Sequence, residues 1–524
     1  MQQRRFSHTS PIMTTFSLLV GLCVFSGCAS RSTTLSPPTP FTPVPVEFTH
    51  TWTKGTHPFT GAAVIDVDGN GTFEIFVGGG EGQRDALLSY RNGHLVDIEN
   101  GTGLSNTSAT YGSTAIDIDA DGDTDLIVAR ENGVSLYLND RGRFQERPIP
   151  VNLPADSVPF SVAIADIDHD GDGDLYVSIF VNAKKFRSAT FNDPTHAKAN
   201  RMLLNNGDLT FTDITESSGT ASKQNTFLSA FVDLDSDGWQ DLVVAQNTGA
   251  VEIFRNMKDR TFRPVSTSSA FGFWMGLAVG DIDNDGDQDL FFTNVGTSIP
   301  LFLTSGDLHK DQRHTHDWML LRNDGNFHFT DVTDEYGLTG EGFAWGAVFE
   351  DLNLDGQLDL FVAQNYIKWP VHKVFKLSGR TYLQTSENRS RAFQHAPTLG
   401  MENRYFGQSP VIVDLDGDGR QDLVWLNIDG PARAFLNTAS GNYVTIVVPD
   451  TVANIGTTIT LETNRGRSYT RAVVGTVGML TDQTPELSFG LGHQEQVLRA
   501  VIQRPNGQTE VLSAPPINRK TLIN

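Results

Sequence analysis

The sequence predicts an all-β chain, a seven-bladed β-propeller followed by a small β-rich C-terminal domain. Three observations predict it. An aspartate-rich ten-residue motif recurs seven times along the 524 residues. Each copy runs directly into a short apolar stretch, and the intervals hold about four such stretches, as blades of four strands require. Composition agrees: 49 glycines and 33 phenylalanines lie in short apolar runs parted by Gly, Asp and Asn, the pattern of many short strands and turns.

The copies are DVDGNGTFEI from Asp66, DIDADGDTDL from Asp117, DIDHDGDGDL from Asp166 and DLDSDGWQDL from Asp233. DIDNDGDQDL from Asp281, DLNLDGQLDL from Asp351 and DLDGDGRQDL from Asp414 complete the set. Successive copies start 51, 49, 67, 48, 70 and 63 residues apart. Place six is always glycine and place ten always Ile or Leu. The seven nine-residue loops hold 29 of the 62 acidic residues, so the acidity is concentrated in them. The net charge of −23 and pI near 4.9 argue against nucleic acid or an anionic membrane surface as partner.

Carboxylates at places one, three, five and nine are what a hard divalent cation needs. Ca²⁺ takes six to eight oxygens at roughly 2.3–2.6 Å, and glycine at place six permits the sharp turn that brings them together. Place seven would add its backbone carbonyl, so its side chain is free to vary. An EF-hand would need a Glu at place twelve between helices, whereas a β-type run follows here. The expected ligands are Asp66, Asp68, Asn70 and Glu74 in loop one, and Asp117, Asp119, Asp121 and Asp125 in loop two. Loop three offers Asp166, Asp168, Asp170 and Asp174, and loop four Asp233, Asp235, Asp237 and Asp241. Loop five offers Asp281, Asp283, Asp285 and Asp289, loop six Asp351, Asn353, Asp355 and Asp359, and loop seven Asp414, Asp416, Asp418 and Asp422. Up to seven Ca²⁺ are expected, with loops one and six the poorest in charge. Solvated Asx turns without metal are the alternative. At millimolar Ca²⁺ and affinities near 10⁻⁴ M, each site stabilises the fold by about 1.4 kcal/mol. Seven together approach the stability of an ordinary domain.

The first residues read as an address. Arg4 and Arg5 precede an apolar stretch from Phe16 to Phe25, then Ser26-Gly27-Cys28, a charged n-region, a short h-region and a small-residue cleavage site. Residues 1–27 are thus expected to be a signal peptide. Residues 28–45 form a Pro/Ser/Thr tether with five prolines, extended and with nothing to pack. Cys23 leaves with the signal, so the mature chain has no disulfide and needs another staple.

Around each motif the same unit recurs: "SVAIAD" leads in, "LYVSIF" leads out, and "RMLLNN" and "LTFTDIT" follow. "VEFTHTW" at 46–52 is the expected fourth strand of the last blade, which would close the ring and leave no open edge. The propeller then spans 46–438. Residues 439–524 form a second β domain with strands in "NYVTIVV", "TTITLET" and "SYTRAVV".

These residues resemble known families. "FAWGAVFEDLNLDGQLDLFVAQN" is similar to the FG-GAP/VCBS repeats, whose calcium-loop blades also build the propeller of integrin alpha chains. The stretch "GMLTDQTPELSFGLGHQEQVLRAVIQRPNGQTEVL" resembles the ASPIC/UnbV domain, with its Pro-x-Leu-x-Phe-Gly-Leu-Gly core at 485–492. The combination is similar to the cartilage acidic protein family and its bacterial relatives. Ser26-Gly27-Cys28 resembles the lipobox of bacterial lipoproteins, which implies a lipid on Cys28 and an outer-membrane location, periplasmic or surface-facing. A plain secretory peptide is the other reading.

An aromatic precedes each loop by six to eight places: Phe59, Tyr111, Phe160, Phe227, Trp274, Trp345 and Phe406. They would either ring a central channel as a sugar or peptide site or pack between blades. His309, His314 and His316 would either bind a transition metal or lie in a solvated loop. Two functions fit: a calcium-stabilised, membrane-anchored binding or adhesion module for a protein or glycan, using the face opposite the loops, or a lyase-like propeller enzyme acting on polysaccharide. An enzyme requires an open channel mouth with a base beside an Arg pair; no catalytic residue stands out in the sequence.

Overall fold

The computed structural model describes residues 40–267, 269–365, 377–387, 390–493 and 495–523. The expected signal peptide, Cys28 and the expected tether up to residue 39 lie outside them. The protein is all-β and propeller-like; among the described residues the α-helices are two single turns, Thr215–Ser218 and Leu301–Thr304.

Seven successive sheets each hold four antiparallel strands, and the first gains two more from the C-terminal region. Their first strands are Ala62–Ile65, Thr110–Ile116, Ser157–Ala165, Thr226–Val232, Leu277–Gly280, Ala344–Glu350 and Gly407–Val413, taken here as sheets one to seven. In each, the acidic loop is the hairpin between first and second strands. The residue before place one pairs with place nine every time: Ile65 with Glu74, Ile116 with Asp125, Ala165 with Asp174, Val232 with Asp241. Gly280 with Asp289, Glu350 with Asp359 and Val413 with Asp422 follow the same register. Eight residues between paired ends are a long hairpin connection, and the carboxylates fill its interior. The second strands, such as Asp174–Val181 and Asp241–Gln246, are buried throughout, as strands covered on both faces must be. Ile127, Val162, Val177, Leu203 and Val244 belong to one apolar cluster spanning sheets two to four.

The last sheet is completed by the N-terminal segment, as expected, but through a different stretch. Phe41–Val44 pairs antiparallel with Arg433–Asn437, Phe41 opposite Asn437 and Val44 opposite Ala434. Residues 46–52 instead run beside sheets one and seven, with Glu47 N–H on Leu95 O and His50 N–H on Gly430 O. Pro40 and Pro43 made 41–44 look like tether, yet an outermost strand tolerates proline because one of its edges pairs with nothing.

The C-terminal domain has two small sheets. One joins Asn442–Val447, Glu486–Gly492 and Lys520–Leu522; the other joins Thr458–Thr463, Ser468–Ala472, Val497–Gln503 and Thr509–Ser513. Val444, Ile446, Ile459, Phe489 and Ile502 fill its core. It lies against the acidic loops, and one of its hairpins, Thr476–Val477 and Thr481–Asp482, extends sheet one by pairing Thr481 with Ala62.

Candidate metal centres

Each loop is built by backbone amides closing on two carboxylates. The N–H of the place-six glycine donates to place-one Oδ2 in all seven loops, at 2.7–3.1 Å. That glycine has φ between 80° and 104° throughout, a region glycine enters freely and other residues do not. Place four is left-handed as well, at Gly69, Ala120, His169, Ser236, Asn284, Leu354 and Gly417. For the non-glycines this costs about 1–3 kcal/mol each and persists only where the surroundings over-determine it. The sequence signalled the glycine but not this second turn.

The place-nine carboxylate is fixed from two sides. In every loop but the sixth, one oxygen accepts the place-two N–H, as Asp241 does from Leu234 and Asp289 from Ile282. The other accepts a backbone N–H from the third strand: Asn139, Asn205, Asn256, Asn323, Gln384 and Asn437 in sheets two to seven. Five of those side-chain amides also reach the preceding sheet's loop, Asn139 to Val67 O, Asn256 to Ile167 O, Asn323 to Leu234 O, Gln384 to Ile282 O and Asn437 to Leu352 O. These amides latch neighbouring sheets at the acidic loops. Sequence reading missed them, although an Asn at the end of the third run in "LYLND", "IFRNM", "LLRND" and "FLNTA" was the signal.

Three carboxylates offer oxygens within 4.8 Å of one another in five loops: Asp117, Asp119 and Asp125; Asp166, Asp168 and Asp174; Asp233, Asp235 and Asp241; Asp281, Asp283 and Asp285; Asp414, Asp416 and Asp422. Loops one and six, which carry Asn70 and Asn353, are not among them. Burial pushes Asp125 and Glu74 up to about 7 and Asp174, Asp241 and Asp289 to about 8, against the pull of their amide donors. Asp235 Oδ1, Asp283 Oδ1 and Asp359 Oδ2 are buried without a hydrogen-bond donor. Converging, desolvated carboxylates with unused lone pairs fit a hard cation, which would supply the missing positive charge. Half-exposed cations lean onto some of them, Arg255 onto Asp235 at 2.6 Å and Lys258 onto Asp237 at 3.0 Å, and both can swing into solvent.

The aromatic ring is not an open site. Phe59, Tyr111, Phe160, Phe227, Trp274 and Trp345 are at most 4% exposed, and Phe406 packs half-buried on the same cluster. Phe59 lies edge-on to Phe160, Phe227 and Trp345 at 5.0–5.8 Å. The cause is local: Tyr111, Phe160, Phe227 and Trp345 fall at bulges of their first strands, which re-aim side chains, here into a shared core. Met479 and Leu480 complete that core.

Those two residues form the tip of the C-terminal hairpin, which fills the space between the seven first strands. Ala62 N–H donates to Leu480 O; Leu277 and Gly478 exchange both backbone bonds, at 3.0 and 2.7 Å. Asp482 Oδ2 accepts Thr114 Oγ1 and Ala115 N–H, each at 2.7 Å. Thr476 Oγ1 donates to Val162 O, and Met479 N–H to Ser409 Oγ. Thr476–Val477 packs on Thr226–Val232 of sheet four, and a Cβ on Gly346 of sheet six would sit 3.0 Å from that of Met479. The hairpin therefore meets every sheet and fills the centre between their first strands. Small residues five places before the first aspartate, Gly61, Gly112, Ser161, Gly276, Gly346 and Ser409, make the room. That pattern is legible in the sequence.

His309, His314 and His316 do not converge as ligands; among the described residues every group of three is carboxylate. His314 lies edge-on to Phe191 and Phe273, and burial lowers its pKa. The insertion carrying it is locked to the one from sheet three: Asp307 accepts Phe191 N–H and Asn192 N–H, and Asn192 and Gln312 exchange side-chain bonds.

Comparison with known proteins agrees with this architecture. FG-GAP-like repeat models match residues 66–128, 117–177 and 233–292, and the ASPIC and UnbV model matches 450–524. Cartilage acidic protein 1 of Xenopus tropicalis is 22% identical over 483 residues, covering 83% of this chain and 68% of that one. The Homo sapiens protein is 23% identical over 476 residues, with 83% and 67% covered. An Agrocybe aegerita lectin solved for its recognition of terminal N-acetylglucosamine aligns over 71% of this chain and 93% of its own, at 17% identity and a TM-score of 0.40. The chain thus carries FG-GAP-like repeats and an ASPIC and UnbV domain, and is homologous to cartilage acidic protein 1.

Proposed function

We propose that the seven sheets form a closed, calcium-loaded propeller acting as a binding module, and that its partner, a protein or glycan, docks on the face opposite the loops. The coverage of the two ends supports this most directly. The loop end lies under the C-terminal domain and the centre is filled by its hairpin, while the insertions at 182–200 and 293–318 join second to third strands and so emerge at the other end. There Leu301, Phe302 and Leu303 stand 43%, 77% and 61% exposed, and an apolar tip in water marks an interaction site. The converging carboxylates support Ca²⁺ in the loops.

The test is a screen of mature protein against glycan and surface-protein arrays, repeated with Phe302→Glu. A hit that survives this substitution would place recognition elsewhere. Anchorage through Cys28 in the outer membrane belongs to the same proposal. It is tested by labelled fatty-acid incorporation, which Cys28→Ser should abolish.

A further inference from the structure

The C-terminal domain touches the loops at the atoms that an ion would orient. In loop six, Asp351 Oδ2 accepts Gly356 N–H at 2.7 Å and also Gly490 N–H, from the C-terminal domain, at 3.0 Å. In loop seven, Asp414 Oδ2 accepts Gly419 N–H at 2.7 Å and also lies 2.7 Å from Lys520 Nζ. Lys520 is held in turn by Glu486 at 2.6 Å. The two loops are thus gripped alike, on the place-one oxygen that the loop glycine already holds.

The surrounding contacts leave little slack. A Cβ on Gly490 would lie 2.2 Å from Asp351 Oδ2, and one on Gly356 would lie 2.7 Å from the Tyr469 ring. Gly492 N–H donates to Leu354 O at 2.8 Å. Tyr443 Oη donates to Asp418 O at 2.5 Å and Thr445 Oγ1 to Gly419 O at 2.6 Å. Phe489-Gly490-Leu491-Gly492 therefore fits loop six only when its carboxylate and its place-four carbonyl point as they do here.

We infer that the C-terminal domain reads the ion-loaded shape of loops six and seven, and that emptying these loops releases the central hairpin. The inference rests on the calcium reading above. Without a cation, the buried Asp351 and Asp359 of loop six repel each other, as do the buried Asp414 and Asp422 of loop seven, and the place-one carboxylates lose the orientation that Gly490 and Lys520 require. The strand that reads loop six, Glu486–Gly492, begins four residues after the hairpin ends at Asp482. The hairpin's seating on Leu277 and Ser409 follows from where that strand docks. Its tip also carries Leu480 at φ 62°, a strained conformation that enclosure maintains. Linkage makes the effect reciprocal: docking must raise calcium affinity at these two loops by the factor that calcium raises docking.

The experiment is amide hydrogen exchange on the full chain, followed for residues 476–483, with calcium and after EGTA, metal content being measured in both. Loss of calcium should speed exchange there by about tenfold or more before sheets two to four open. The paired variant Asp351→Asn with Asp414→Asn should do the same in calcium while loops two to five keep their ions. Lys520→Met should weaken calcium binding at some sites only, leaving the rest unchanged. Full protection of 476–483 in metal-free protein, or in the paired variant, overturns the inference. A chain that holds no calcium at any concentration overturns the calcium reading itself, and this inference with it.

Discussion

The two ends of the propeller-like domain are built on different principles. The loop end is periodic: seven hairpins of one length, with one register and the same amide-to-carboxylate bonds, lie under a second domain that contacts them. The opposite end is irregular. Two insertions of different length interlock through Asp307, Asn192 and Gln312 and leave an apolar tip in water. Periodicity is what a shared cation site would impose, since each loop would then have to satisfy one coordination geometry. An end that only has to be covered or to meet a partner is under no such constraint.

The largest test of this contrast removes the ions. Chelation should lower the melting temperature by tens of degrees, because several sites near 1.4 kcal/mol each sum to about the stability of a domain. Calorimetry with and without EGTA measures it, and unchanged melting would erase the distinction between the ends. Within the loop end, the roles of single carboxylates separate next. Asp241 is 1% exposed and accepts Leu234 N–H and Asn256 N–H. Asp241→Ala leaves both donors buried and unpaired and should cost about 3 kcal/mol. Asp285 lies at the exposed rim of its loop, and Asp285→Ala should cost about 1 kcal/mol while the other loops persist. Chemical denaturation of the two variants makes the comparison.

These loops were legible because their chemistry repeats. The all-β class, the loop positions and the glycine turn could all be read from spacing and composition. What escaped the sequence lacked a repeat or wore the wrong signal. Phe41–Val44 closes the last sheet although two prolines flank and interrupt it. The small residues before six of the loops were visible, but their purpose depends on a hairpin more than 50 residues beyond the last copy. Tyr111, Phe160 and Trp345 stood in the right ring, and only the bulges that turn them inward decide between a site and a core.

A test of intermediate size lies in that core. His57 is buried among Phe59, Tyr111, Phe160 and Phe180, with Nε2 2.8 Å from Val181 O. Burial lowers its pKa from 6.5 to about 4, against the pull of that carbonyl. The folded state therefore binds the proton more weakly than the unfolded state. The stability is fully present above pH 6.5 and is lost as pH falls toward 4, by about 3 kcal/mol at most. His50, also lowered to about 4 by burial, adds to the same acid limb. His57→Phe should flatten part of that limb in denaturation curves taken between pH 7 and 4, and an unaltered slope would mean that the ring stays solvated.

The smallest expected effect on stability is at the opposite end, and it is the most informative about function. Phe302 buries almost nothing, so Phe302→Glu should shift unfolding by no more than about 0.5 kcal/mol in either direction. The central hairpin and the loops should be untouched, since neither reaches this turn. Loss of partner binding with unchanged melting and calcium content would assign recognition to the irregular end alone. A clear drop in stability would instead mean that the tip packs on something within the chain, and that both ends serve the fold.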